Sequence, residues 1–348
     1  MAEVVFGIPG DLASPTGGYG YARRMLDLLP AENIQIRHVA LPGGYPHPTG
    51  GDLVDTARAL STTPPGAVLL IDGLAFGAMP VGLIERLGRP AVALVHHPLG
   101  LESGLTPGRQ ADLVASETAA LSRAAHVIVT SPLTERLLHA GFGVPQGRIT
   151  VAEPGTDPAT RSRATGSPVR LLAVGTVSPR KGYDVLIAAL RRLGDLEWRA
   201  TIAGATDRDP EAADGLRRAI DEAGLASRVT LAGAVGPEGL ETLYGQADIL
   251  VSPSLFEGYG MVLAEALAHG LPLVASTGGA AAETVPDGAA LKVPPGDAPA
   301  LALALRRAIV DRDLRAGLAE ASWSAGQRLP RWSDTAKRIA GVLRSVAR

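Results

Sequence analysis

The stretch Ser252-Pro253-Ser254-Leu255-Phe256-Glu257-Gly258-Tyr259-Gly260-Met261-Val262-Leu263-Ala264-Glu265-Ala266-Leu267-Ala268-His269-Gly270-Leu271-Pro272 reads as a strand end, a loop, a helix and a stop. The apolar run Asp248-Ile249-Leu250-Val251, closed by Ser252-Pro253, predicts a short buried strand whose carboxyl end opens into the loop that carries Glu257. Gly258 and Gly260 flank Tyr259 and let backbone N–H groups come close to a ligand. From Gly260 to His269 the residues are mostly helix formers, and Gly270 with Pro272 just beyond ends the run. Gly260-Met261-Val262 is therefore a helix N-terminus, where free N–H groups and the positive end of the helix dipole favour an anion such as phosphate. Glu265 falls on the second turn of that helix. Carboxylates before and beside an anion site suit a ligand with hydroxyl-rich groups on both sides of its phosphates, as in a nucleotide sugar, because carboxylates accept strong hydrogen bonds from hydroxyls.

Glu257 and Glu265, with seven residues between them, sit in Phe-Glu-Gly-Tyr-Gly and ahead of His269-Gly-Leu-Pro-Leu-Val-Ala-Ser276. This text resembles the E-x7-E signature of the retaining glycosyltransferases of the GT4 family, which have the GT-B fold. A surface helix with two solvated acids is the plainer alternative, and it leaves the glycines, the helix stop and the following strand unexplained. The resemblance implies an α/β protein of two doubly wound parallel-sheet, Rossmann-like domains facing a cleft, with a C-terminal helix crossing back to the first domain.

The 348 residues suffice for two domains, each with its own core. There is no cysteine, which excludes disulfides, cysteine nucleophiles and cysteine metal sites. The net charge is −2, and residues 1–160 hold ten Arg and no Lys against fourteen Asp plus Glu. That balance argues against a nucleic-acid partner and gives no support to a basic membrane-docking face, so peripheral membrane contact is not indicated. The longest apolar runs, such as Ala67-Val-Leu-Leu-Ile71, are too short to span a bilayer. Met1-Ala2-Glu3 leads straight into a strand without a charged leader, so a cytoplasmic protein is expected.

Glu3 to Ile8 predicts the first strand, followed by a glycine-rich loop through Gly17-Gly18-Tyr19-Gly20 and a helix carrying Arg23 and Arg24. Strand, glycine loop and helix open a doubly wound sheet. The glycines do not spell G-x-G-x-x-G, and as a plain connection the loop needs no ligand. In the resembled family this loop approaches the donor diphosphate or the acceptor, and the match carries that role onto Gly18. Apolar runs at Ile34 to Ala40, Ala67 to Ile71, Ala91 to Val95, Val127 to Val129 and Ile149 to Val151 alternate with helical stretches, the pattern of a parallel sheet covered on both faces. Side chains just past the carboxyl ends of such strands line the ligand crevice. Asp72 follows one strand and His96-His97-Pro98 another. A histidine there is often a satisfied structural residue. The resemblance matches His96 to a histidine near the donor sugar, with His97 as the register alternative. Asp72 either meets an acceptor hydroxyl or caps the turn at Gly73-Leu74, so Asp72 and His97 are acceptor-side candidates.

Residues 158–168, rich in Arg, Thr, Ser and Gly, lack an apolar period and read as a linker. The expected domains are then 1–160 on the acceptor side, 168–330 binding the nucleotide sugar, and a crossing helix in 331–348 with Ile339, Val342, Leu343 and Val346 on its apolar side. Val169 to Val174 predicts a strand, followed by Gly175-Thr176-Val177-Ser178-Pro179-Arg180-Lys181-Gly182. Lys181, one of three lysines in the chain, sits where a point charge would neutralise a diphosphate, though a solvated surface lysine is the alternative. The segment resembles the family's Gly-Arg…Lys-Gly motif with one departure. The arginine expected after Gly175 is Thr176, so Arg180 or backbone donors must make up the missing charge, and a variant without turnover stays open. Ala234 and Val235 match the turn that offers backbone groups to the nucleotide base.

The resemblance implies transfer of a sugar from a UDP- or GDP-hexose to an alcohol acceptor with retention, the departing phosphate acting as base; no metal or other cofactor is expected, since Lys181 and the helix end can do a cation's work. His96, Lys181 and Glu257 are the expected catalytic residues. Donor binding is expected at Gly18, Thr176, Arg180, Lys181, Ala234, Val235, Ser254, Glu257, Gly258, Tyr259, Gly260, Met261, Val262 and Glu265. Two alternatives share the same residues: a nucleotide-sugar 2-epimerase, which needs no acceptor, and a sugar-nucleotide-binding protein without turnover.

Overall fold

The computed structural model describes residues 2–163 and 166–347. The chain forms two compact units, one of Met1–Gly155 with Pro330–Arg348 and one of Thr156–Leu329.

The first unit is built on six parallel strands: β1 (Ala2–Pro9), β2 (Ile34–Leu41), β3 (Val68–Asp72), β4 (Ala91–Val95), β5 (His126–Val129) and β6 (Ile149–Val151). Their order in the sheet is β2-β1-β3-β4-β5-β6. The central strands are unbroken apolar runs because helices cover both faces. Val4, Val5, Phe6, Leu69, Leu70 and Ile71 expose nothing to solvent, and burying each such side chain contributes about 1.5–3 kcal/mol. The helix Trp332–Val346 belongs to this unit. Its Ile339, Ala340 and Leu343 are fully buried. The Thr335 hydroxyl donates to the Glu153 carbonyl at 2.6 Å, and Arg344 donates to the Glu32 carbonyl at 2.8 Å.

The second unit repeats the plan with β7 (Val169–Val174), β8 (Trp198–Ala203), β9 (Val229–Gly233), β10 (Ile249–Ser252), β11 (Leu273–Ser276) and β12 (Ala290–Val293), in the order β12-β11-β10-β7-β8-β9. Along β10 the side chains alternate: Ile249 and Val251 join one core cluster with Trp198 and Leu305, while Leu250 joins another with Leu263 and Leu267. Part of the expected linker is tied to this unit. The Ser162 amide donates to the His269 carbonyl at 2.9 Å, and the Gly166 amide donates to the buried Asp248 carboxylate at 2.8 Å. Ala164 and Thr165 of that linker lie outside the described residues.

Each sheet reverses its strand order once, between β1 and β3 in the first unit and between β7 and β10 in the second. Loops leaving the carboxyl ends on either side of such a reversal part company and open a crevice, the usual ligand site of an open α/β sheet. In the first unit Asp72 ends β3, which flanks the reversal, and His96 follows β4 beside it. The loops holding Thr176 to Lys181 and Ser254 to Gly260 lie there in the second. Among the described residues no helix is long and apolar enough to cross a membrane.

Candidate active site

Because β7 and β10 pair side by side, with Leu172 opposite Leu250, the loops beyond them bring distant residues together. Lys181 Nζ donates to Glu257 Oε1 at 2.6 Å across 76 residues of sequence. The Ser254 hydroxyl donates to the same oxygen at 2.7 Å. Arg180 stands 3.6 Å from Glu257 Oε2 and donates to the Phe256 carbonyl at 2.8 Å. Burial works to raise the pKa of Glu257, but the Lys181 and Arg180 charges and the hydrogen bonds from Lys181 and Ser254 outweigh it and hold the carboxyl below its ordinary value. Glu257 is therefore a carboxylate at neutral pH, already paired with the two cations expected to face a diphosphate.

The loop is also tied from its other side. The Glu257 amide donates to the Gly278 carbonyl at 3.2 Å, and the Glu257 carbonyl accepts from the Ala280 amide at 2.8 Å. Gly279, at φ +64°, lies so close beneath that a Cβ would overlap the Glu257 backbone. Tyr259 is buried, and its carbonyl accepts from the Thr284 hydroxyl at 2.6 Å. Gly258 and Tyr259 thus lead in a fixed path to Gly260, which caps the helix Met261–Ala268 at φ 93°. Leu263 and Ala264 donate back to the Gly260 carbonyl. The preceding amides of Met261 and Val262 have no partner within the helix and form its anion-favouring end.

Glu265, on the second turn, accepts from the Tyr244 hydroxyl at 2.7 Å. Burial raises the Glu265 pKa against the opposing Tyr244 bond. Burial together with the Glu265 charge pushes the Tyr244 pKa well above the ordinary tyrosine value, so Tyr244 keeps its proton and is the donor. Tyr244 in turn stacks on His269, with ring centroids 4.8 Å apart and planes inclined by 14°. Thr176 stands just past β7, in the loop that carries Arg180 and Lys181. Ala234 and Val235 follow β9, the edge strand two places from β7.

In the first unit Gly18, Asp72 and His96 come together. A Cβ on Gly18 would lie 3.5 Å from His96 Cδ2. The His96 ring meets Tyr21 edge-on at 5.2 Å, and its Nε2 is buried, without a hydrogen bond, 3.8 Å from Asp72 Oδ2. Burial pushes His96 down to about 4. Burial also pushes Asp72 up to about 6, against the opposing Leu74 hydrogen bond. At pH 7 His96 is thus neutral and Asp72 mostly ionised. Asp72 Oδ1 accepts from the Leu74 amide at 2.9 Å and caps the helix Gly73–Phe76, which leaves Oδ2 toward His96. His97 follows, partly exposed. Tyr21 and Tyr244 were not legible as site residues. Tyr21 shares its helix with Tyr19 and Tyr244 is the one aromatic of its own, and only their contacts set them apart.

A model of the "Glycosyl transferases group 1" family matches residues 168–311, and a model of the "Glycosyl transferase 4-like domain" matches residues 5–155. The chain belongs to the GT4-type glycosyltransferases. A D-inositol 3-phosphate glycosyltransferase of Mycobacterium sp. (strain KMS) is 31% identical over 251 residues, which are 66% of this chain and 56% of that protein. The chain thus spans little more than half the length of that relative. Two solved structures share its fold. Sucrose-phosphate synthase from Thermosynechococcus elongatus is 22% identical with a TM-score of 0.84 over 99% of each chain. Anabaena HepE in complex with UDP-glucose is 19% identical with a TM-score of 0.79, over 99% of this chain and 100% of that one. The two six-stranded Rossmann-like units are accordingly those of the GT-B class.

This GT4-type chain contains two Asp-x-Asp pairs, a pattern that elsewhere can mark a metal site: Asp207-Arg208-Asp209 and Asp311-Arg312-Asp313. In each pair one carboxylate caps a helix. Asp209 accepts from the Ala212 amide and Asp311 from the Leu314 amide, both at 2.9 Å. Among the described residues no group of three His, Cys, Asp or Glu is placed to hold a metal ion.

Proposed function

We propose that the chain is a hexosyltransferase that moves a sugar from a UDP- or GDP-hexose to an alcohol acceptor, with retention at the anomeric carbon and without a metal ion. The observation that carries the reading is the junction of Arg180, Lys181, Ser254 and Glu257 with the helix start at Gly260, all at the strand reversal of the second sheet. The UDP-glucose bound by the HepE neighbour and the name of the mycobacterial relative support a nucleotide-sugar donor and a polyol-type acceptor.

In this reading the donor diphosphate takes the helix end at Met261 and Val262 and draws Lys181 and Arg180 from Glu257. Glu257, released from them, accepts from sugar hydroxyls, and Glu265 accepts from the ribose. Charge grows on the diphosphate as the C–O bond to the anomeric carbon loosens, and preset cations and amides stabilise that state more than the ground state. The acceptor oxygen bonds to the anomeric carbon as that bond breaks, and its proton passes to the departing phosphate oxygen.

The test is acceptor-dependent release of nucleoside diphosphate from UDP- and GDP-hexoses with a panel of polyols, with the product anomer read by proton NMR. The reading expects acceptor-dependent release, the donor's anomeric configuration in the product, and no loss of rate in EDTA. Turnover of the donor to a 2-epimer without acceptor, an inverted product, or abolition by EDTA would each overturn part of it.

A further inference from the structure

Glu265 and His269 stand four residues apart, on the helix Met261–Ala268 and its carboxyl cap, so their side chains share one face. Tyr244, near the end of the helix Pro237–Gln246, lies along that face and meets both. Its ring stacks on His269, and its hydroxyl donates to Glu265 Oε2. Tyr244 is buried in one core cluster with Leu250, Leu263 and Leu267.

His269 is itself held. A carbonyl can only accept, so His269 Nδ1 carries a proton and donates to the Thr160 carbonyl at 3.0 Å. Its Nε2 stands 3.3 Å from Oε2 of Glu241, which precedes Tyr244 by one turn. The ring against which Tyr244 rests is therefore met at both nitrogens, and packing aims the tyrosine hydroxyl at Glu265.

That bond bears on what Glu265 can do. Burial and the Asp157 charge favour a protonated carboxyl there, whereas the Tyr244 hydroxyl and the Lys181 charge favour the carboxylate. Only the ionised form is purely an acceptor. Tyr244 keeps its own proton, because burial, the Glu265 charge and hydrogen bond, and the neighbouring Tyr183 and Glu241 all oppose its loss. It stays a donor throughout the neutral range.

We propose that Tyr244 is a positioning residue of the donor site, which turns the Glu265 carboxylate and keeps it an acceptor for the ribose hydroxyls. The proposal rests on the reading that Glu265 meets the ribose. Tyr244→Phe removes the hydroxyl and keeps the stacked ring. Carbon-13 NMR of labelled glutamate on the ligand-free chain, with Glu265→Gln to assign the resonance, is expected to show the Glu265 carboxyl titrating at higher pH in Tyr244→Phe than in wild type. Calorimetry with whichever of UDP-glucose and GDP-glucose binds wild type is expected to find Tyr244→Phe about threefold to tenfold weaker at pH 5.5 and within about twofold of wild type at pH 8. In a Glu265→Gln background, where position 265 does not titrate, Tyr244→Phe is expected to change the Kd by less than about twofold at both pH values. An unmoved Glu265 resonance, or a loss of affinity equal at both pH values, would reduce Tyr244 to a packing residue and overturn the proposal. Glu265→Gln binding as tightly as wild type, or a wild type that binds neither nucleotide sugar, would instead overturn the ribose reading beneath it, whatever the resonance shows.

Discussion

Glu117 shows how far burial moves a single group. It exposes nothing to solvent, takes the Leu99 amide on one oxygen at 2.8 Å, and leaves the other buried without a hydrogen bond. Burial pushes its pKa up to about 8 from the ordinary 4.5, against the opposing Leu99 bond. A carboxyl whose folded pKa is raised binds more protons folded than unfolded between those two values, so its contribution to stability falls as pH climbs from about 4.5 through 8. Glu117→Gln removes the titration. The variant is expected to gain thermal midpoint relative to wild type from pH 6 to about pH 8 and to level off above it, read by differential scanning calorimetry, and a constant difference from pH 6 to pH 8 would contradict the assignment. The strand reading gave no hint of Glu117, which stands in a helix as an acid like any other. Asp72 was legible as a residue at a strand end, and the cap it makes there is seen in the Leu74 bond.

The loop from Ser252 to Gly260 and the helix after it are the elements most fully written in the sequence, because proline and glycine punctuate them. The expected helix from Gly260 to His269 is observed as Met261–Ala268 with those two residues as its caps. What holds the loop was not legible. The Lys181–Glu257 pair depends on β10 returning beside β7, and the Glu257 backbone bonds depend on the turn at Gly278 and Gly279, both matters of topology and not of local pattern. Gly279→Ala places a Cβ against the Glu257 backbone and forces a left-handed φ on an L side chain. It is expected to cost more than about 1 kcal/mol and to speed proteolysis at residues 255–260. A variant as stable as wild type, with an unaltered cleavage pattern, would show that the loop is not held from this side. Lys181→Met leaves Glu257 with the Arg180 charge and the Ser254 hydroxyl bond. Its expected signature is a weaker nucleotide affinity and a Glu257 carboxyl displaced toward a higher pKa, visible by carbon-13 NMR of labelled glutamate, and an unmoved resonance would contradict the pairing.

The chain as a unit of two repeats was legible from its alternating apolar runs and from the lack of any such run in 158–168. The strand β12 was not, since four residues containing one lysine carry little periodicity. The apolar side of the last helix was also readable, but its partners were not: Trp332 meets Tyr21 edge-on at 5.6 Å, and Tyr21 lies against His96. Trp332→Ala is expected to destabilise the first unit by about 3–5 kcal/mol. Amide exchange should quicken in β1 and β5 and stay unchanged in β7 to β12, and uniform quickening would argue against the assignment of this helix to the first unit. The activity proposed for the whole chain depends on Glu265 meeting the ribose at the second strand reversal. Isothermal titration of the preferred nucleotide sugar into wild type, Glu265→Ala and Glu265→Gln tests this most directly, the glutamine keeping an acceptor for Tyr244. Loss of one or two hydrogen bonds to a charged group predicts a Kd about tenfold to a hundredfold weaker for alanine, with glutamine between. Three equal affinities would contradict it.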